Sequence, residues 1–204
     1  MNAWLLKQKL LAYTLANSGS EEYRSYLGMS AIHECSLELY ERMIAPRQWT
    51  EEGRLMCHLG YMWEKEIKHR LFSLGLYSPG SEREVKADFD QRFLGHTDGE
   101  IIGEAALLEI KSVTAEKLSR IILDKRALRA HFEQCQSYMK WGGYDRAFIV
   151  YAARDTNALH VIEFRLIYNV ADKLDDKAKA ILAAVDRGEP PDCDCGRHKR
   201  PTTH

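Results

Sequence analysis

The segment Ala106-Leu107-Leu108-Glu109-Ile110-Lys111 constrains this chain more than any other. A short apolar run of this kind belongs to a strand covered on both faces, and here the run ends in charge. The spacing predicts a central strand. Glu109 and Lys111, two residues apart, then point to one face of it. A carboxylate and an ammonium in that arrangement can bind a metal and approach an attacking water. Glu-x-Lys is equally ordinary where a strand end simply reaches solvent.

The pattern around this strand changes period once. Upstream it is helical. Residues 1–18 carry apolar Trp4, Leu5, Leu6, Ala12 and Leu15 and end near Asn17-Ser18-Gly19-Ser20. A second helix is expected from Ser30 as N-cap, with Glu34 completing a capping-box-like pattern, through Cys35, Leu39 and Met43 to Pro46. A third follows Thr50, with Glu51 and Glu52 in its first turn and a stop at Gly75. Strands are expected at 83–88 and 92–98, then a turn at Gly103-Glu104 and the central strand. Residues 117–140 read as helix, broken near Asp124 and ending at Gly142-Gly143; 147–152 as a buried strand; 159–164 as an outer strand; 168–187 as a final helix. The order predicts an α/β domain over 1–187, a mixed sheet flanked by helices with further helices at both ends, and a tail over 188–204 opened by Gly188-Glu189-Pro190-Pro191.

Composition narrows the class. The chain has 204 residues, 45% hydrophobic and 29% charged, with a formal net charge of −1. A plain non-specific nucleic-acid binder would be basic, but an acidic metal site offsets basic residues elsewhere, so net charge does not decide. No apolar run approaches the ~20 residues of a membrane span. The start lacks the basic-then-apolar order of a secretory signal, so a cytoplasmic location is expected. Five cysteines, an odd number, are then expected as thiols or metal ligands rather than disulfides.

Three further segments carry chemistry. Asp98 lies in Gly95-His96-Thr97-Asp98-Gly99. Asp-Gly often makes a hairpin turn, yet Glu100-Ile101-Ile102 continues as strand and Gly103-Glu104 is the better turn. Asp98 is thereby expected inside the sheet beside the strand ending in Glu109, and two adjacent carboxylates repel unless a divalent cation neutralises them. Glu64, in Gly60-x-x-x-Glu64, sits on a helix whose Lys65, Glu66, Lys68 and His69 also permit an ordinary solvated face. Gln134 and Tyr138 are four apart and share a helix face; they could hold a substrate phosphate or the surroundings of the lysine, and alone the pair is one more amphipathic pattern.

Taken together, Glu64, Gly95-His96-Thr97-Asp98-Gly99, Glu109-Ile110-Lys111 and Gln134-x-x-x-Tyr138 resemble the RecB-like branch of the PD-(D/E)XK nucleases. That branch includes phage recombination exonucleases and CRISPR-associated spacer-acquisition nucleases. The similarity spans roughly residues 28–165. The resemblance implies a restriction-endonuclease-like fold. It implies that Asp98, Glu109 and the Ile110 carbonyl bind a divalent cation, that Glu64 completes the shell directly or through water, that Lys111 positions or activates the nucleophilic water, and that Gln134 and Tyr138 orient substrate. Oxygen ligands of this type favour Mg²⁺ or Mn²⁺.

Between Lys111 and Gln134 lie Lys117, Arg120, Lys125, Arg126, Arg129 and His131, against only Glu116 and Asp124. This stretch could grip a phosphate backbone or be a solvated helix face. Trp141, Tyr144 and Tyr77 could stack on bases or pack as core. Met29-Ser30-Ala31-Ile32-His33-Glu34-Cys35 resembles a segment of several RecB-like nucleases in which an early cysteine joins three C-terminal cysteines around an iron–sulfur cluster. This chain offers Cys35, Cys193 and Cys195, with no third tail cysteine; Cys57, His198 and His204 are substitutes, although Cys57 and Cys135 are expected in the core. Four thiolates are the usual requirement for a cluster. Cys-x-Cys-x-x-His could hold zinc instead, or the tail could bind nothing.

The expectation is a metal-dependent deoxyribonuclease. The leading form is an exonuclease on linear or single-stranded DNA serving recombination, repair or CRISPR-type processing in a phage or prokaryote. A structure- or site-specific endonuclease and a non-catalytic nucleic-acid-binding module share the same fold. DNA is the expected partner; the resemblance adds a recombination or CRISPR-type protein and a homo-oligomer.

Overall fold

The computed structural model describes residues 2–16, 25–45 and 49–196. The elements run α1 (Ala3–Ala16), β1 (Leu27–Gly28), a 3₁₀ turn (Met29–Ala31), α2 (Ser36–Ile44), α3 (Glu51–Ser73), β2 (Glu84–Ala87), β3 (Asp90–His96), β4 (Gly99–Ile101), β5 (Ala106–Val113), α4 (Ala115–Asp124), α5 (Arg129–Gly142), β6 (Arg146–Ala153), β7 (Leu159–Arg165) and α6 (Tyr168–Arg187). The strands form two sheets, ordered β1-β3-β2 and β4-β5-β6-β7. The second is mixed: β5 pairs antiparallel with β4 and parallel with β6, and β6 pairs antiparallel with β7. A parallel pair needs a crossover, and α4 and α5 supply it.

β5 is central because both its faces are apolar. Leu107 and Val113 join Cys135, Tyr138 and Met139 of α5 and Ile181 of α6 in the main core. Leu108 and Ile110, on the opposite face, join Ile67 of α3, Tyr77 and Val150. The sheet is therefore sandwiched between α3 on one side and α5 with α6 on the other. Helix boundaries follow local chemistry. Thr50 caps α3 by accepting the Gly53 N–H at 3.1 Å, and Gly75 closes the chain beyond it at φ 72°, a left-handed conformation glycine adopts freely. Lys125 takes φ 51°, which breaks the helical stretch between α4 and α5 at the expected place.

Three expectations need correction. Ser30 does not cap a helix: Met29 and Ile32 are both fully buried, and a 3₁₀ turn, with side chains three apart eclipsed, turns them the same way. α2 starts only at Ser36, and Glu34 pairs with Arg42 instead of completing a capping box. Cys57 is exposed, whereas Cys135 is buried as expected. Asp98 lies not inside a strand but on the two-residue link, Thr97-Asp98, by which the chain leaves β3 in one sheet for β4 in the other. Residues 17–18 and Pro46, expected at helix ends, lie outside the described residues.

Candidate active site

β4 accompanies β5 only as far as Gly99 opposite Leu108. β6 follows the other edge of β5 on to Val113. Past Leu108, one edge of β5 has therefore lost its strand neighbour. The N–H and C=O of a strand residue point to the same edge, and so do those two residues on. Ile110 thus turns both groups into the gap. Asp98 fills it, its Oδ2 accepting the Ile110 N–H at 2.7 Å. The Ile110 carbonyl faces the same side, beyond the last residue of β5 that β4 pairs.

Glu109 projects from the neighbouring position toward α5 and is 2% exposed. Its Oε1 accepts from Gln134 Nε2 at 2.8 Å and lies 2.7 Å from Lys111 Nζ. Its Oε2 is buried with no hydrogen-bond partner, a costly state for a carboxylate oxygen that a bound cation removes. Asp98 also sits where a negative charge is disfavoured. Its carboxyl is pushed well above the usual carboxylate range, first by burial and then by the charges of Glu109 and Glu64, with Lys111 and the Ile110 N–H opposing. Burial alone would lower the Lys111 ammonium, but Glu109 and Asp98 together raise it. These residues fit a hard divalent cation: two carboxylates that repel each other, an orphaned carboxylate oxygen and a backbone carbonyl.

Glu64 reaches this edge from α3, on the other side of the sheet. Its carboxylate is held by Lys68, whose Nζ donates to Glu64 Oε1 at 2.7 Å and to Glu82 Oε1 at 3.0 Å. Glu82 also accepts from the Tyr77 hydroxyl and, at 3.0 Å, from the Gly80 N–H. The Tyr77 bond, with help from Lys68, brings the Glu82 carboxyl down to about 2, while burial and Glu82 push Tyr77 up to about 12. Among the described residues, Glu64, Asp98 and Glu109 do not all close to within 4.8 Å of one another. Sequence reading missed Lys68 and Glu82. The Glu64-x-x-x-Lys68 spacing is a helical ion-pair signal that could have found the first; nothing local marked the second.

Gln134 and Tyr138 are buried, 4% and 2% exposed. Gln134 donates to Glu109 and bonds the Tyr138 hydroxyl; the Tyr138 ring covers Gly95. Both pack on the α5 side of the Glu109 carboxylate. Tyr77 and Tyr144 are buried as well, and Tyr144 is bonded to Arg83 and Glu100, which removes them as base-stacking platforms. Trp141 is partly buried and donates to Asp175. Lys117, Arg120, Lys125, Arg126 and Arg129 are exposed along α4 and the start of α5. His131 is not part of that basic face: burial and nearby Lys111 bring it down to about 3, and its Nδ1 lies 3.0 Å from the Tyr151 hydroxyl.

Known structures share this architecture. The alkaline exonuclease LHK-Exo of Laribacter hongkongensis, in complex with dAMP, superposes with a TM-score of 0.66 at 15% identity, over 83% of this chain and 94% of its own. A second LHK-Exo structure gives 0.60 at 14% identity, over 87% and 93%. The fold is restriction-endonuclease-like. A third structure with this fold, SSO0001, gives 0.54 at 18% identity over 86% of each chain. No protein-family model and no curated protein matches the sequence. Within the restriction-endonuclease-like frame, the strand that outlasts its neighbour presents Glu109 and Lys111, and the link before β4 brings Asp98 to its open edge.

The remaining candidate ligands also converge. Cys35, Cys193 and Cys195 bring their sulfurs within 4.8 Å of one another. His198 and His204 lie outside the described residues. No helix among the described residues is long and apolar enough to cross a membrane.

Proposed function

We propose that this chain is a Mg²⁺- or Mn²⁺-dependent deoxyribonuclease acting as an exonuclease on DNA ends. The observation that carries the reading is the set at the unpaired edge of β5: Asp98 on the Ile110 N–H, Glu109 with an orphaned buried oxygen, and Lys111 2.7 Å from Glu109. Shared fold with an alkaline exonuclease recorded with a mononucleotide, dAMP, supports the choice of DNA and of end-directed cleavage.

Asp98, Glu109 and the Ile110 carbonyl would hold the cation, with Glu64 joining through water. When bound, the cation polarises the phosphate and lowers the pKa of its water. The chain's own residues do the rest. Gln134 fixes the rotamer of Glu109. Lys111, kept as an ammonium by two carboxylates, donates to the water or to a phosphate oxygen rather than abstracting a proton. Water adds to phosphorus and gives up a proton to solvent, the P–O bond to the leaving nucleotide breaks, and that oxygen takes a proton back from solvent. The exposed cations of α4 and early α5 hold the backbone of the strand being degraded.

The test is end-labelled single- and double-stranded DNA incubated with Mg²⁺, Mn²⁺ or EDTA, with products sized over time. Metal-dependent release of short products is expected from linear DNA and not from closed circles. Asp98→Ala, Glu109→Ala and Lys111→Ala should each abolish it while circular dichroism stays native. Cutting of closed circles would convert the reading to an endonuclease; DNA binding without cleavage in either metal would reject catalysis.

A further inference from the structure

The three cysteines do not fit the four-thiolate iron–sulfur cluster that the sequence resemblance implies. The described residues bring three sulfurs together rather than four, and those three are too close. Cys35 Sγ lies 3.7 Å from Cys193 Sγ, and Cys193 Sγ lies 3.4 Å from Cys195 Sγ. These separations are far longer than the ~2 Å of a disulfide. Thiolates of a multi-iron cluster bind different irons at separate corners, which spreads the sulfurs apart. Thiolates sharing one tetrahedral Zn²⁺ at ~2.3 Å are forced to about 3.8 Å from one another.

From this spacing we infer that Cys35, Cys193 and Cys195 form a mononuclear zinc site that clasps the tail to the start of α2. The surrounding bonds hold the two chain segments in register, although 158 residues separate Cys35 from Cys193. Asp194, between the two tail cysteines, accepts from the Ser36 N–H at 3.0 Å and the Ser36 hydroxyl at 2.6 Å. Lys177 of α6 lies 3.1 Å from Asp194 and donates to the Glu34 carbonyl, next to Cys35. The residues on either side of Cys35 are thus bonded to the same small assembly as the loop Cys193-Asp194-Cys195. Soft thiolates at tetrahedral spacing select zinc over the hard cation of the active site. Binding releases a proton from each thiol and leaves one corner of the tetrahedron for water or another donor. The site is far in chemistry from the β5 edge, and the inference stands whether or not the chain cuts DNA.

The experiment uses the full chain purified without chelator and analysed for metals and acid-labile sulfide, with no DNA present. About one zinc per chain, no sulfide and a colourless solution are expected. Replacement by Co²⁺ should give an intense near-ultraviolet thiolate-to-cobalt band. Cys193→Ser should lower zinc content at least about tenfold, while the Asp98→Ala/Glu109→Ala double variant keeps it, which separates this site from the catalytic one. If Cys193→Ser fails to fold, the cobalt spectrum of the unaltered chain decides. A brown protein with iron and sulfide would overturn the inference. So would a zinc-free chain whose Cys35, Cys193 and Cys195 alkylate as fast as exposed Cys57, or a zinc content unchanged in Cys193→Ser.

Discussion

Gly95 is a glycine because the Tyr138 ring occupies the place where its side chain would go, and that can be measured. Gly95 lies in β3, and its φ is not among the positive ones, so conformational freedom is not what it supplies. A Cβ built there lies 2.3 Å from Tyr138 Cε1 and 2.8 Å from the Tyr138 hydroxyl oxygen. Carbon atoms settle at ~3.5–4.0 Å, so the ring must retreat by more than about 1 Å. A ring at the end of a side chain often can. This one is 2% exposed, packed beside Cys135 and Met139, which are fully buried, and it has no free direction. Overpacking of this kind costs about 1–3 kcal/mol, a fall of about 3–10 °C in Tm for a domain of this size. The displaced ring also disturbs Gln134, and through it Glu109, so cleavage should fall further than stability explains. The assay is urea unfolding of Gly95→Ala, Tyr138→Ala and the double variant. If the ring is the obstacle, adding Gly95→Ala to Tyr138→Ala should cost less than about 0.5 kcal/mol, against the 1–3 kcal/mol in the parent. An equal cost in both backgrounds, or none in the parent, would refute the reasoning.

Lys68→Met should free the Glu64 carboxylate; loss of a charged hydrogen bond worth about 1.5–3 kcal/mol predicts a roughly 10- to 100-fold drop in cleavage rate, and titration of activity against Mg²⁺ would show whether metal demand rises with it. Gln134→Leu removes the neutral donor to Glu109 and should lower cleavage by about as much, with Tm falling by several degrees because the leucine refills the space but leaves buried Glu109 and Tyr138 short of a partner; an unchanged rate would remove Gln134 from the positioning role. Asp175 is 2% exposed and accepts from both Lys140 and Trp141, so Asp175→Ala should cost about 2–3 kcal/mol, less than a fully broken buried pair because Lys140 keeps Asp172. For pH, His131 is the informative group. Its folded-state value, about 3, lies below the ~6.5 of an unfolded histidine. The unfolded chain therefore binds a proton that the folded chain refuses, and stability is lost as pH falls from about 6.5 toward 3, by at most about 1.4 kcal/mol per pH unit. His131→Phe should flatten that part of a stability–pH curve measured by denaturant unfolding.

Sequence was most informative where one residue type had one physical use. The apolar run 106–110 announced a strand covered on both faces, Thr50 and Gly75 marked the ends of α3, and the α6 boundaries Tyr168 and Arg187 were readable from period and glycine alone. It was least informative where a role depends on distant packing. Ser30-x-x-x-Glu34 looks like a helix start, but burial of Met29 and Ile32 overrides it. Gln134 and Tyr138 were found as a pair, while their depth and the bond from Gln134 to Glu109 were not legible. Glu82 gave no sign because a carboxylate five residues after Tyr77 is ordinary in a loop, and only the fold brings Lys68 of α3 to it. Asp98 was expected beside Glu109; that it gets there by bonding the Ile110 amide on a link between two sheets was not legible.

The early stop of β4 has a cost and a consequence. Extending that strand by two residues would continue its ladder past Leu108 and claim the Ile110 amide, making the sheet more regular and the molecule tougher. It would also evict Asp98 and seal the carbonyl behind a neighbour. The proposed chemistry depends on an unfinished edge, so the mutations that most improve this protein as a solid should be the ones that silence it.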